Sequence, residues 1–307
     1  MNTQKLSPNG QVIAAFAAIY LIWGSTYLAI LFSLKSMPPF LLSGIRFSIA
    51  GAILLGWRLL RGERPAAGPT LQNAFAGILM LFGGTGAVVW VEQHITSGMA
   101  AIIVASLPFW FVLLDYRQWA YNFSQKLILL GILIGFAGII TLFGVHAGGF
   151  SGKTLFAMFV LLAGCISWAT GSLYVKYHPS AQSTTMNAGI QMLAAGLFSA
   201  LVGWFEGETR TFSPANVSAE SWLGLAYLIG FGSLVGYLSY VWLLGVRSTV
   251  QVGTYAYVNP VVAVLLGWFF AGEPFSTRQL LALSVILFGV LLINLPKYQL
   301  LRAKILS

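Results

Sequence analysis

From about residue 11 to residue 295 the chain is a succession of apolar runs, each about 20 residues long, split by short polar breaks. A helix needs about 20 apolar residues to cross roughly 30 Å of hydrocarbon, whereas a strand needs only about ten. The pattern therefore predicts an all-α integral membrane protein. Ten helices are expected near 11–33, 39–60, 71–92, 96–116, 124–144, 154–175, 184–205, 219–244, 248–270 and 276–295. The breaks carry turn chemistry: Met37-Pro38-Pro39, Arg61-Gly62-Glu63-Arg64-Pro65, His146-Ala147-Gly148-Gly149, Ser213-Pro214 and Gly272-Glu273-Pro274. Ser276 with Gln279 reads as a capping box that starts the last helix. The longest connection, about 206–218, leaves no room for a second soluble domain.

Composition supports the same solvent. Charged residues make up 7% of the chain, hydrophobic residues 58%, and the mean hydropathy is +0.84; soluble domains carry about 25% charged residues. The N-terminal run is too long for a signal-peptide core and contains Trp23, Ser25, Thr26 and Tyr27, so it reads as a first span. The net charge of +9 is spread without a basic run, which points to membrane orientation and away from nucleic acid. One side of the expected membrane holds Lys5, Arg58, Arg61, Arg64, Arg117, Lys126, Lys176, Arg247, Lys297, Arg302 and Lys304; the other holds Lys35, Lys153, Arg210 and Arg278. The positive-inside rule then predicts both termini in the cytoplasm. Cys165, the single cysteine, excludes an internal disulfide and reads as a small packing residue.

The chain also repeats itself. A shift of 152 residues lays 96–144 on 248–296 without a gap, placing Pro108 on Pro260, Val112-Leu113-Leu114 on Val264-Leu265-Leu266, and Phe123-Ser124 on Phe275-Ser276. Trp23-Gly24-Ser25 matches Trp168-Ala169-Thr170 at a nearby offset. The expected units are 11–144 and 154–295, five helices each. An odd number of crossings inverts the second unit relative to the first, and inverted repeats mark transporters that bind substrate near the membrane midplane.

The stretches IYLIWGSTYLAI (19–30), PPFLLSGIRFSIAGAILL (38–55), VEQHITSGMAAIIVASLPF (91–109), CISWATGSLY (165–174) and YAYVNPVVAVLLGWFFAGEPFS (255–276) resemble the ten-helix EamA branch of the drug/metabolite transporter superfamily. The resemblance covers nearly the whole chain. It implies a bacterial inner-membrane permease that exports small metabolites or drugs through a cavity between two bundles. The first repeat departs from the pattern: Ala120-Tyr121 stands where the second has Gly272-Glu273, with Asp115-Tyr116-Arg117 just before it.

Several residues are candidates for the cavity. Arg46 lies about 10 Å into the second helix, where a charge either serves a function or snorkels to the headgroups. Glu92 closes the third helix on the same side, so an Arg46–Glu92 pair gating the outer half is expected; its rival is an interfacial acid. Gln93 and His94 follow it. Trp23, Trp90, Trp168, Tyr237, Tyr240, Tyr255, Tyr257 and Asn259 offer stacking faces and uncharged polar tips suited to amphipathic or aromatic solutes. Asn187 and Gln191 share a helix face, as interhelical bridge or substrate contact. Gly131/Gly135 and Gly232/Gly236 read as close-approach pairs. Pro108 and Pro260 are expected hinges, with Tyr257 and Asn259 facing the cavity.

These features predict a secondary transporter. The alternative, a membrane enzyme acting on lipid or headgroup substrates, needs clustered acid–base groups, and the seven acidic residues are dispersed. Expected partners are a small-molecule substrate and the lipid bilayer, with the chain as monomer or homodimer; no cofactor, metal or nucleic acid is expected. The histidines His94, His146 and His178 are scattered.

Overall fold

The computed structural model describes residues 8–143, 151–247, 249–274 and 276–306. Lys5, Phe275 and the break at His146–Gly149 lie outside the described residues. The fold is all-helical among those described. We label the ten apolar helices α1 (Asn9–Ser33), α2 (Pro39–Leu60), α3 (Ala67–Val91), α4 (Ser97–Leu114), α5 (Lys126–Phe143), α6 (Gly152–Tyr177), α7 (Thr184–Phe205), α8 (Ala219–Val246), α9 (Tyr255–Ala271) and α10 (Thr277–Leu306). Eight of them are long and apolar enough to cross a membrane unaided; α5 and α9 fall at the margin.

The two marginal helices show where the pattern misleads. α5 follows a short helix, Trp119–Ser124, and the chain turns by 101° between them. α9 has only 17 residues, because Gly253 and Thr254 form a turn that detaches Thr249–Val252 from its start. α10 runs on through Pro296, past its expected end at 295. The capping box at its start is present: the Ser276 amide donates to Gln279 Oε1 at 2.8 Å, and the Gln279 amide to Ser276 Oγ at 3.2 Å.

Packing follows one rule. α2 lies along α7, α5 along α10, and α4 against α9. α1 packs on α8 and α9 as α6 packs on α3 and α4, while α2 meets α8 as α7 meets α3. Each of these contacts has a counterpart five helices on. Glycine permits the closest of these approaches. A Cβ on Gly289 of α10 would stand 2.6 Å from the Gly131 carbonyl oxygen and 2.7 Å from the Gly135 nitrogen of α5. Gly232 and Gly236 play a different part from the one their spacing predicts. They make room for side chains: Arg46 Nη2 and Trp23 Nε1 occupy the space where Cβ atoms would sit.

Among the described residues, three helices carry π-helical segments: Ala18–Ile22 in α1, Ile78–Gly86 in α3 and Leu228–Tyr237 in α8. The wider turn leaves carbonyls poorly served by the helix, and in a membrane each needs a partner. Each segment receives one from a different helix. Ser167 Oγ of α6 donates to the Leu79 carbonyl at 2.7 Å. Trp23 Nε1 donates to the Gly232 carbonyl at 3.2 Å. The Asn259 amide, with its nitrogen toward α1, donates to the carbonyls of Tyr20 at 2.9 Å and Ile19 at 3.2 Å.

Candidate functional site

The π segments open the centre of the molecule. A cavity of about 80 Å³ lies there, lined from α1, α2, α3, α4, α6, α8 and α9. Its walls include Trp23, Thr26, Tyr27, Arg46, Phe47, Thr85, Cys165, Trp168, Tyr237, Tyr255 and Asn259. Rings form one end. Trp23 meets Trp168 edge-on at 5.6 Å and Tyr255 edge-on at 5.2 Å, and Tyr240 closes the cluster 5.1 Å from Trp23. Two of the polar tips inside the cluster are bonded: Trp168 Nε1 donates to the Tyr240 hydroxyl at 3.2 Å, which also bonds Ser172 Oγ at 2.9 Å, while the Tyr255 hydroxyl is buried without a hydrogen-bond partner among the described residues. Tyr20 and Thr254 bond through their hydroxyls one turn below. Aromatic edges and faces of this kind add stacking energy beyond simple burial.

Arg46 is 4% exposed and sits on the cavity wall. Its Nε donates to Ser233 Oγ at 2.9 Å, and the guanidinium lies 4.7 Å from the centre of the Phe47 ring. Glu92, 5% exposed at the C-terminal cap of α3, is not on that wall. The expected Arg46–Glu92 pair is not formed: Glu92 has no hydrogen-bond partner among the described residues, and Arg46 has only Ser233. Val91 and Ile95, on either side of Glu92 in the chain, belong to the buried apolar cluster that also holds Tyr27.

Other expected residues are dispersed. Gln191 is fully buried away from the cavity, donating to Asn73 Oδ1 at 2.7 Å and accepting from the Tyr237 hydroxyl at 2.7 Å. Asn73 also donates to Asn187 at 2.9 Å, so the polar face of α7 bridges helices and holds Tyr237 on the cavity wall. Tyr257 points to α10, where its hydroxyl accepts from Asn294 at 2.6 Å, and does not line the cavity. Trp90 and Gln93 line a separate, shallow polar cleft with Lys35, Glu206 and Glu208 at the α1–α2 connection. Pro108 begins the second half of α4, just past a break at Ala105–Ser106, whereas Pro260 lies within continuous α9.

The most regular feature escaped the sequence reading. Gly-Glu occurs three times, and each glycine is left-handed at a helix end: Gly62 (φ 81°), Gly207 (φ 78°) and Gly272 (φ 63°). Each glutamate then caps the N-terminus of a distant helix. Glu63, after α2, accepts from the Ser183 amide at 2.8 Å and hydroxyl at 2.7 Å, at the start of α7. Glu208, after α7, accepts from the Leu41 amide at 2.8 Å and the Phe40 amide at 3.3 Å, at the start of α2. Glu273, after α9, accepts from Ser97 and Gly98 at the start of α4. A carboxylate there meets unpaired amides and the positive end of the helix dipole. The place where α4 would return the favour to α9 is held by Asp115, bonded to the Tyr177 hydroxyl at 2.6 Å and Lys176 at 3.4 Å. Three Gly-Glu pairs at helix ends were the available signal.

Known proteins fit this geometry. Residues 10–144 and again 155–295 match the EamA-like transporter family. The inner membrane transporter YedA of Escherichia coli strain K12 is 41% identical over 300 residues, spanning 97% of this chain and 94% of YedA. The transporter YvbV of Bacillus subtilis is 24% identical, with 94% and 93% covered. A crystal structure superposes with a TM-score of 0.67 over 96% of this chain and 99% of its own, at 22% identity, which speaks for the fold alone. With both halves matched and the wall of a central cavity assembled from each, the chain is a membrane protein that belongs to the EamA-like transporter family.

Proposed function

We propose that the protein is a secondary transporter that exports small organic solutes, amino-acid-like or amphipathic and aromatic, through the central cavity by alternating access. The ten apolar helices cross the membrane as two inverted five-helix repeats, 11–144 and 154–295. The protein resides in a bacterial inner membrane with both termini cytoplasmic. The observation that carries the reading is the cavity at the junction of the two halves, with four of its helices from the first and three from the second. Trp23, Arg46, Trp168, Tyr237 and Asn259 contact the solute there; Glu92, Gln191 and Tyr257 stand behind the wall, and Trp90 and Gln93 act at the separate polar cleft by the α1–α2 connection.

Support for transport over catalysis comes from the wall itself. Among the described residues it offers rings, hydroxyls, one amide, one guanidinium and the buried Cys165 thiol, without a carboxylate or imidazole to serve as general base. Four of the seven acidic residues are committed to holding helices together: Glu63, Glu208 and Glu273 as caps, and Asp115 in its ion pair.

Counterflow in proteoliposomes tests the reading. Vesicles preloaded with unlabelled amino acids, nucleosides or cationic drugs, with and without a pH gradient, are expected to accumulate the matching labelled solute. Chemical conversion of a lipid without solute exchange would favour the enzyme instead.

A further inference from the structure

Arg46 is the only charged group on the cavity wall among the described residues, and it is incompletely bonded. Its Nη1 is buried without a hydrogen-bond partner, Nε is spent on Ser233, and the flat face of the guanidinium rests on Phe47. Gly232 leaves the space into which Nη2 projects. A buried guanidinium with no counter-ion is expensive, since desolvation of a charge is recovered only through an opposite charge in good geometry. Held between a ring and a hydroxyl, this one is fixed in orientation while both Nη1 donors remain free. Guanidinium forks match the paired oxygens of carboxylates, as they do those of phosphates; the aromatic wall around this one suits a carboxylate on an apolar body.

We propose that the cavity contains an anion subsite at Arg46, and that the transported solute is an organic carboxylate whose apolar or aromatic body rests on Trp23, Trp168 and Tyr255. The inference rests on the cavity being the solute site. The carboxylate supplies in the loaded state the counter-charge that the empty protein lacks. Ser233 is the positioning residue: by taking Nε it fixes the guanidinium in the cavity wall. The design rejects cations by leaving Arg46 facing a like charge, and disfavours neutral solutes by offering them a bond to the guanidinium without the opposite charge.

The test compares three probes with one ring and different charge: phenylacetate, phenylacetamide and phenethylamine. Binding to the purified protein is read by thermal shift and tryptophan fluorescence, and exchange by counterflow in proteoliposomes. Wild type is expected to bind phenylacetate about tenfold or more tighter than phenylacetamide, as for a charge-assisted bond lost, and to exclude phenethylamine. Arg46→Gln should abolish the preference, bringing phenylacetate to the affinity that the same variant shows for phenylacetamide; Arg46→Lys should retain part of it, because charge persists without the fork. Ser233→Ala should weaken phenylacetate binding alone. The wild-type comparison needs no variant to fold. Equal binding of amide and carboxylate, preference for the amine, or binding of none of the three by wild type would overturn the subsite. Exchange of phenethylamine without carboxylate preference would leave the transport reading intact and overturn the subsite. Carboxylate-selective binding without exchange of any probe would do the reverse.

Discussion

The Glu273 carboxylate binds the amide of Ser97 at 2.8 Å and its hydroxyl at 2.7 Å, joining residues 176 positions apart in the chain. The tie fastens the end of α9 to the start of α4, one helix from each half. Glu273→Gln keeps the shape and loses the charge, and Glu273→Ala loses both. The alanine variant is expected to cost about 1 kcal/mol, the usual worth of an N-terminal cap, and the glutamine variant less. Thermal unfolding in detergent reads the difference; equal stability of all three proteins would show that the tie carries no weight.

The mated caps on α2 and α7 should respond to acid in opposite ways. The Ser183 amide, foremost, with the Ser183 hydroxyl and Arg58, holds Glu63 below its ordinary value of 4.5. The folded chain therefore binds this proton less tightly than the unfolded chain, so the stabilisation is complete above the ordinary range and is lost as pH falls through the lowered value. Burial raises Glu208, with the Leu41 and Phe40 amides pulling it partly back. Its proton is held more tightly in the folded state, so ionisation of Glu208 costs stability as pH rises through the carboxylate range. Unfolding scanned from about pH 7 to pH 3 should show a shallower acid loss in Glu63→Gln than in wild type and no such flattening in Glu208→Gln. A matched response of the two variants would contradict the assignment.

Asn259 and Tyr257 sit two residues apart and should behave differently. Asn259 serves the carbonyls of the π turn in α1 from the cavity wall, whereas Tyr257 bonds Asn294 behind it. Asn259→Leu strands buried carbonyls, at about 1–3 kcal/mol, and is expected to lose exchange as well as stability. Tyr257→Phe should exchange at nearly the wild-type rate. The check is counterflow set beside unfolding for the two variants; loss of exchange in Tyr257→Phe alone would reverse their roles.

Proline prevents a helix hydrogen bond and marks where α4 and α9 can bend. Pro108 follows a break already present in α4, and Pro260 lies in an unbroken helix. Pro108→Ala and Pro260→Ala should each slow exchange without lowering solute affinity, the expected pattern when a conformational step is altered. Wild-type rates in both variants would remove the hinge.

Much of this architecture is readable from residue order because the bilayer imposes one length and one period on every crossing. The long helices, the capping box at Ser276 and the aromatic wall at Trp23, Trp168 and Tyr237 all follow from local chemistry. What could not be read depends on which helices meet. Gln191 and Tyr257 have polar tips as deep as that of Asn259, yet partners on α3, α8 and α10 turn them away from the cavity. Arg46 and Glu92 are expected near the same face of the membrane, but α2 delivers the one to Ser233 and α3 leaves the other off the cavity wall. Two of the π segments leave clustered glycines as a trace, Gly83-Gly84-Thr85-Gly86 and Gly230-Phe231-Gly232, which helix period does not reveal, and the segment Ala18–Ile22 leaves none. The Gly-Glu caps are local in sequence at one end and distant at the other, so the dipeptide was visible while its partner was not.

The central claim is that solute crosses through the cavity between the two halves. Counterflow with a cavity-filling variant tests it most directly. Thr85 lines the cavity from the π segment of α3 and is half-buried, so Thr85→Trp places an indole in the solute's space while the helix ties remain. With wild type and Thr85→Trp reconstituted at equal density, the account predicts exchange in the first and its loss in the second, with thermal unfolding little changed. Undiminished exchange in a folded Thr85→Trp protein would place the path elsewhere and contradict the account.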